Sequence, residues 1–171
     1  MMQPTRLLIA EDDKALAALL EEYLSEGDYD VTVCHRGDDA LSKLKQETFD
    51  LVLTDIVMPG ADGLTVLAEV SAQQGHALVI LMTGYSGIED ALHAVEQGAY
   101  DFVSKPFQLP EIRVRLDNAA RYEKLLRRWE AVALKPAESV APEAFLTQKI
   151  TQDATSRTHG VARRAYGLNG S

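Results

Sequence analysis

One cysteine in 171 residues, Cys34, leaves no internal disulfide framework and no cysteine-built zinc site. Apolar runs are short; residues 77–82 are among the longest, far below what a bilayer crossing needs. The first residues show no basic-then-apolar leader pattern. These absences lead to the expectation of a soluble, cytoplasmic protein with no membrane partner. Cations are scarce in the first 120 residues, which hold 8 Lys and Arg against 21 Asp and Glu, a net of −13. Residues 121–171 reverse the sign with 9 against 5, a net of +4. An acidic body argues against nucleic-acid binding by that body and leaves converging acids as a candidate cation site. What is present is 46% hydrophobic and 25% charged residues, a composition that builds a packed core.

The first 120 residues alternate two kinds of segment. Apolar, β-rich runs fall at 7–10, 31–34, 51–54, 78–82 and 101–104. Helical periodicity lies between them. Leu16, Leu19, Leu20, Tyr23 and Leu24 keep one apolar face at period 3.6, and residues 40–44, 64–70 and 88–95 continue the pattern. Gly27, Gly75 and Gly98 stand where these helices should stop. The runs at 7–9, 51–53 and 78–81 are unbroken rather than alternating, as strands are when helices cover both faces of a parallel sheet. Five strands alternating with helices imply a doubly wound α/β domain with right-handed crossovers. Ligands of such sheets bind beyond the carboxyl ends of the strands, near the switch in strand order.

The residues at those ends are chemically distinctive. Glu11, Asp12 and Asp13 follow the first strand, Asp55 the third, Thr83 the fourth, and Lys105 with Pro106 the fifth. Parallel strands bring these ends to one edge, so several carboxylates, a hydroxyl and an ammonium should share a shallow cleft. Clustered carboxylates repel, so one of them should protonate or the group recruit a cation. An all-oxygen donor set with positions left for water suits Mg²⁺, with Mn²⁺ as the alternative. The same inventory suits phosphoryl transfer. Asp55 can attack phosphorus, Lys105 and the metal can neutralise the transferring group, and Thr83 can donate to one of its oxygens.

The stretches Leu8-Ile9-Ala10-Glu11-Asp12-Asp13, Asp50-Leu51-Val52-Leu53-Thr54-Asp55-Ile56-Val57-Met58-Pro59-Gly60-Ala61-Asp62-Gly63, Leu81-Met82-Thr83-Gly84 and Gly98-Ala99-Tyr100-Asp101-Phe102-Val103-Ser104-Lys105-Pro106-Phe107 resemble the receiver domain of bacterial two-component response regulators. Four motifs occur in order over about residues 5–120, and the fourth and fifth strand motifs are closest to nitrogen-regulation-type receivers. The resemblance implies a flavodoxin-like (βα)₅ fold and a Mg²⁺-dependent phosphorylation of Asp55 by a sensor histidine kinase or phosphotransfer protein. It further implies that Glu11, Asp12, Asp55 and the backbone carbonyl of Val57 hold the metal. Lys105 contacts the phosphoryl group, Thr83 is the switch hydroxyl and Phe102 the switch aromatic. Phe102 lacks the hydroxyl of the tyrosine often found there, so its switch rests on ring packing. The output face implied is that of helix four, strand five and helix five. The module is not an enzyme acting on external substrates; it catalyses its own phosphorylation and dephosphorylation.

Taken singly, several of these residues have plainer explanations. Asp13 is expected to cap the first helix and Asp62 to start the third. Cys34 reads as a small core residue, and His35, His76, His93 and His159 show no ligand spacing. The Lys105–Pro106 bond is a candidate cis peptide. Val57 and Tyr85 are expected to shield an acyl phosphate. Leu109, Ile112, Leu116 and Ala119 should pack helix five on the sheet. Beyond residue 120, Tyr122, Leu125, Trp129 and Val132 repeat at 3-4-3 spacing, a short seam for a homodimer or a partner. The expected organisation is a receiver over 1–120, a helical extension over 121–134, and a linker and largely disordered tail over 135–171 with a short helix near 143–150. No glycine-rich phosphate loop occurs in the sequence, and the length leads to the expectation of no conventional output domain. Two other readings stand beside the phosphorylated switch. A phosphate-independent adaptor, or a receiver cut from a longer regulator, would share the fold. A metal-dependent phosphatase would need a general acid two residues past the nucleophile, where Val57 cannot serve.

Overall fold

The computed structural model describes residues 3–84 and 87–133. Tyr85 and the linker, tail and short helix expected beyond residue 133 lie outside the described residues. The chain divides into two units, Met1–Arg127 and Arg128–Ser171, and of the second the described part is residues 128–133.

Elements follow in strict alternation: β1 (Thr5–Ala10), α1 (Lys14–Ser25), β2 (Tyr29–Cys34), α2 (Gly37–Gln46), β3 (Leu51–Asp55), α3 (Gly63–Ala72), β4 (Leu78–Thr83), α4 (Ile88–Glu96), β5 (Asp101–Ser104) and α5 (Leu109–Ala133). The sheet is parallel throughout, in the order β2-β1-β3-β4-β5. This is the flavodoxin-like doubly wound order, and its switch point lies between β1 and β3.

The unbroken apolar strands serve two cores. Leu7 and Ile9 face α1 and α5, joining Leu20, Leu24, Leu51, Leu53, Ile80, Met82, Ile112 and Leu116. Leu8 and Ala10 face the other way, with Val52, Leu81, Leu44, Val66, Leu67 and Ala91 under α2, α3 and α4. Alternate side chains point to opposite faces, so a strand covered on both sides must be apolar at every position. Full burial of each Leu or Ile contributes roughly 1.5–3 kcal/mol. Cys34 is buried in the second core, as its place at a strand end suggests.

Helix starts follow the capping reading. Asp13 Oδ1 accepts from the N–H groups of Ala15 and Leu16, and Asp62 Oδ1 accepts from the N–H and Oγ1 of Thr65. The stops are less uniform. Gly98, with a φ of 115° that side chains resist, follows the Gln97 cap of α4. Helix α3 stops earlier than expected, at Ala72 with Gln73 extended, so Gly75 (φ 154°) lies in the loop beyond it, and α1 ends on Glu26 in the right-handed region. Gly27 instead makes room: a Cβ there would lie 2.5 Å from the Arg113 guanidinium.

On α5 the expected core stripe is present: Ile112, Leu116 and Ala119 are buried, and Leu109 packs at its edge. Tyr122 and Leu125 are exposed, and the Tyr122 ring lies 5.7 Å from that of Tyr100. In the second unit Trp129 and Val132 are exposed as well. Glu123 breaks the polarity pattern, being only 2% exposed on the same helix.

Candidate functional site

Parallel pairing places Ala10 beside Thr54 and Asp55 beside Met82, so β1, β3, β4 and β5 end together. At that edge Glu11, Asp12 and Asp55 each offer a carboxylate oxygen, and these atoms all lie within 4.8 Å of one another. Glu11 is fully buried, Asp55 nearly so, and Asp12 is open to solvent. One cation answers them. Lys105 Nζ donates to Glu11 Oε1 at 2.5 Å and to Asp55 Oδ2 at 2.7 Å, reaching across from the end of β5. The Lys105–Pro106 peptide is cis, as its sequence suggests. The other Glu11 oxygen, Oε2, accepts from the Asp13 N–H at 2.9 Å, so neither Glu11 oxygen is idle.

Burial pushes the Glu11 carboxyl above the usual carboxylate range; bonds from Lys105 and Asp13 oppose this, and the nearby Asp55 charge adds to it. Burial would lower Lys105, but its bonds to Asp55 and Glu11 outweigh that and hold the ammonium above its ordinary value. The ammonium is therefore a fixed positive charge at neutral pH. Three carboxylates against one ammonium leave an excess of negative charge and oxygen donors, which suits a small, hard divalent cation.

Two flanking groups frame the site. Thr83, 1% exposed at the end of β4, donates its hydroxyl to the Gly84 carbonyl at 3.1 Å. Its own carbonyl accepts from the Lys105 N–H at 2.7 Å, tying the ends of β4 and β5 together. Phe102 pairs with Leu81 in the sheet and is half-buried against the α4 side of the core. Val57, two residues past Asp55, exposes its side chain in the β3–α3 loop.

That loop is pinned from α2. The Gly37 N–H donates to the Pro59 carbonyl at 3.1 Å, and a Cβ on Gly37 would lie 1.6 Å from the Ala61 carbonyl oxygen. Gly63 approaches from the far side, its N–H bonded to the Ile56 carbonyl at 2.7 Å, with room for a Cβ denied by the Asp55 carbonyl at 2.3 Å. Sequence reading passed over Gly37 because a glycine at a helix start has many uses; only the contact across 24 residues of chain shows this one. It also passed over His35. Its Nδ1 lies 3.0 Å from the Glu11 carbonyl oxygen, which can only accept, so this nitrogen carries the proton.

Comparison with known proteins agrees with this geometry. The family model described as "Response regulator receiver domain" matches residues 7–117. The chain is 38% identical over 117 residues to the response regulator protein FleR of Pseudomonas aeruginosa, covering 68% of this chain and 24% of that one. It is 32% identical over 143 residues to the DNA-binding transcriptional regulator NtrC of Klebsiella pneumoniae, covering 83% and 30% respectively. The chain thus spans a third or less of the length of these two curated relatives. Among solved structures, that of NtrX from Brucella abortus with ADP superposes with a TM-score of 0.71 at 28% identity, covering 78% of this chain and 31% of that one.

Proposed function

Since the chain belongs to the response regulator receiver domain family, a signalling module of two-component systems, we propose that it accepts a phosphoryl group on Asp55 from a sensor histidine kinase or phosphotransfer protein. The observation that carries this reading is the Lys105 ammonium held between Glu11 and Asp55, with Asp12 alongside. A nucleophilic carboxylate, a fixed cation and further oxygen donors meet in one cleft.

An Asp55 oxygen forms a bond to phosphorus as the N–P bond of a phosphohistidine donor breaks; the histidine nitrogen keeps the electron pair and takes a proton from solvent. A carboxylate is ionised at neutral pH, so the step needs no general base. Lys105, already on Asp55, supplies positive charge to the oxygens of the arriving group. The donor set fits Mg²⁺, or Mn²⁺, which Glu11, Asp12, Asp55 and the Val57 carbonyl would hold. Bound there, the metal supplies further positive charge against the phosphoryl oxygens.

The acyl phosphate adds close to two negative charges and three acceptor oxygens. Thr83 then trades its bond to the Gly84 carbonyl for one to a phosphoryl oxygen, and Phe102 turns into the space released. The face of α4, β5 and α5 changes shape as a result. Inverting a 1:99 population takes about 5.5 kcal/mol of preference for the active state, within reach of a few charge-assisted hydrogen bonds. In this reading residues 1–120 form the receiver, and exposed Tyr122 and Leu125 of the first unit, and Trp129 and Val132 of the second, are candidates for contact with a second copy or a partner. Residue 134 of the expected 121–134 extension lies outside the described residues. The linker and tail expected over 135–171 lie outside them as well.

Acetyl phosphate with Mg²⁺ is expected to label the protein but not Asp55→Asn. An unlabelled wild type would favour a phosphate-independent adaptor instead.

A further inference from the structure

Gly87 stands four residues after Thr83, at the N-cap of α4, where Ser, Thr, Asp or Asn would bond the first turn. Its φ of −98° and ψ of 10° are open to any residue, so conformational freedom does not call for glycine here. Space does. The Gly87 N–H donates to the Gly84 carbonyl at 3.0 Å, and the Thr83 hydroxyl donates to the same carbonyl at 3.1 Å. A Cβ built on Gly87 would lie 2.0 Å from Thr83 Oγ1 and 3.4 Å from Thr83 Cβ. The hydroxyl occupies the volume that a side chain at residue 87 would fill.

We propose that Gly87 is a positioning residue for Thr83: by lacking a Cβ it provides the resting seat of the hydroxyl, and it thereby sets the balance between that seat and a phosphoryl oxygen. The inference rests on the reading of Thr83 as the switch hydroxyl. A threonine directs Oγ1, Cγ2 and hydrogen along three staggered directions, and neither heavy group fits against a Cβ at residue 87. Thr83 is then left with the one rotamer that turns its hydrogen toward residue 87, or Gly87 moves away and its N–H loses the bond to the Gly84 carbonyl. Both outcomes cost the resting arrangement. An arrangement in which the hydroxyl has already left for a phosphoryl group bears no such cost. Any side chain at residue 87 should therefore tilt the switch toward its active form before phosphate arrives.

The test measures affinity for beryllofluoride with Mg²⁺, a stable phosphoryl mimic, in the full chain by calorimetry. The variants are Gly87→Ala, Gly87→Ser, Thr83→Ala and the Gly87→Ala/Thr83→Ala pair. Serine carries the same Cβ yet caps a helix well, so it separates the contact with Thr83 from any loss of α4. Both Gly87 variants are expected to bind the mimic on the order of tenfold more tightly, equivalent to about 1.4 kcal/mol. In the Thr83→Ala background, where no Oγ1 remains to evict, Gly87→Ala should change affinity by less than about twofold. A shift of the same size in that background would overturn the proposal, since residue 87 would then act on α4 alone. Unchanged or weaker binding in both Gly87 variants, with Thr83→Ala weakening it, would overturn it as well while sparing the Thr83 reading. Unchanged affinity in Thr83→Ala would remove the Thr83 reading and the proposal together.

Discussion

Replacing Lys105 by methionine keeps a chain of similar length and removes the charge. The ammonium touches two carboxylates at 2.5 and 2.7 Å; the Glu11 side chain is 0% exposed, that of Asp55 12% and that of Lys105 26%. Exposed pairs contribute about 0–1 kcal/mol, whereas removing one partner of a buried pair costs about 3–5 kcal/mol. Solvent reaches the lysine but not Glu11, so the expected loss lies between, at about 2 kcal/mol in EDTA at pH 7. For a domain of this size that lowers Tm by roughly 6–10 °C. The deficit should shrink when Mg²⁺ is added. Lys105 holds one oxygen of each carboxylate, and the remaining Glu11 oxygen is taken by the Asp13 N–H, so lysine and metal compete for donors. Free of that competition, Lys105→Met should bind Mg²⁺ more tightly. A ligand at 100 times its Kd adds about 2.7 kcal/mol, enough to mask the loss. Thermal melts of both proteins across a Mg²⁺ titration make the check. A variant as stable as wild type in EDTA, or one whose deficit is indifferent to Mg²⁺, would refute the reasoning.

Other perturbations probe the surroundings of the site. Gly37→Ala drives a methyl into the Ala61 carbonyl, which is backbone and cannot turn aside. The expected cost is about 1–3 kcal/mol, with weaker Mg²⁺ binding as the β3–α3 loop shifts, read by denaturant melts and calorimetry. Val57→Asn replaces an exposed apolar neighbour of Asp55 with an amide able to orient water, and should speed loss of the acyl phosphate; equal rates would discard the shielding idea. For Glu123, burial pushes the carboxyl above its ordinary value, with the Asp50 charge adding to this and Arg127 opposing. A raised folded value means that its contribution is full below the ordinary 4.5 and is lost as pH rises through the folded value, so Glu123→Gln should gain on wild type in urea melts between pH 4 and 8.

What was legible in the sequence, and what was not, follows from the range of the interactions concerned. Unbroken runs such as Leu51-Val52-Leu53 betray two-sided burial locally, because alternate side chains serve opposite cores, and from such runs the parallel sheet follows. Once strands are parallel, their last residues share an edge, so Glu11, Asp12, Asp55, Thr83 and Lys105 could be grouped without knowing strand order. Helix α3 already ends at Ala72 with Gln73 extended, two residues before the expected Gly75, whereas Gly98 was readable as a stop because its backbone departs from the helical region at that residue itself. Gly37 and Gly87 were not, because each is small for the sake of another segment: the Ala61 carbonyl in one case, the Thr83 hydroxyl in the other. Glu123 was hidden in part for the same reason: it is buried within reach of the Asp50 charge from another segment, as well as paired with Arg127 of its own helix at 2.7 Å. The distinction bears on function. On the proposed reading, the residues assigned to the chemistry stand at strand ends and are found by type, whereas those proposed to set how readily it is felt elsewhere are found only by the space they leave empty. Among the described residues, Gly37 and Gly63 leave such spaces against the loop after Asp55 and Gly87 leaves one against the Thr83 hydroxyl. On the proposed reading the resting state is held by steric vacancy as well as by charge, and a methyl group at Gly37 or Gly87 should move it without touching a carboxylate.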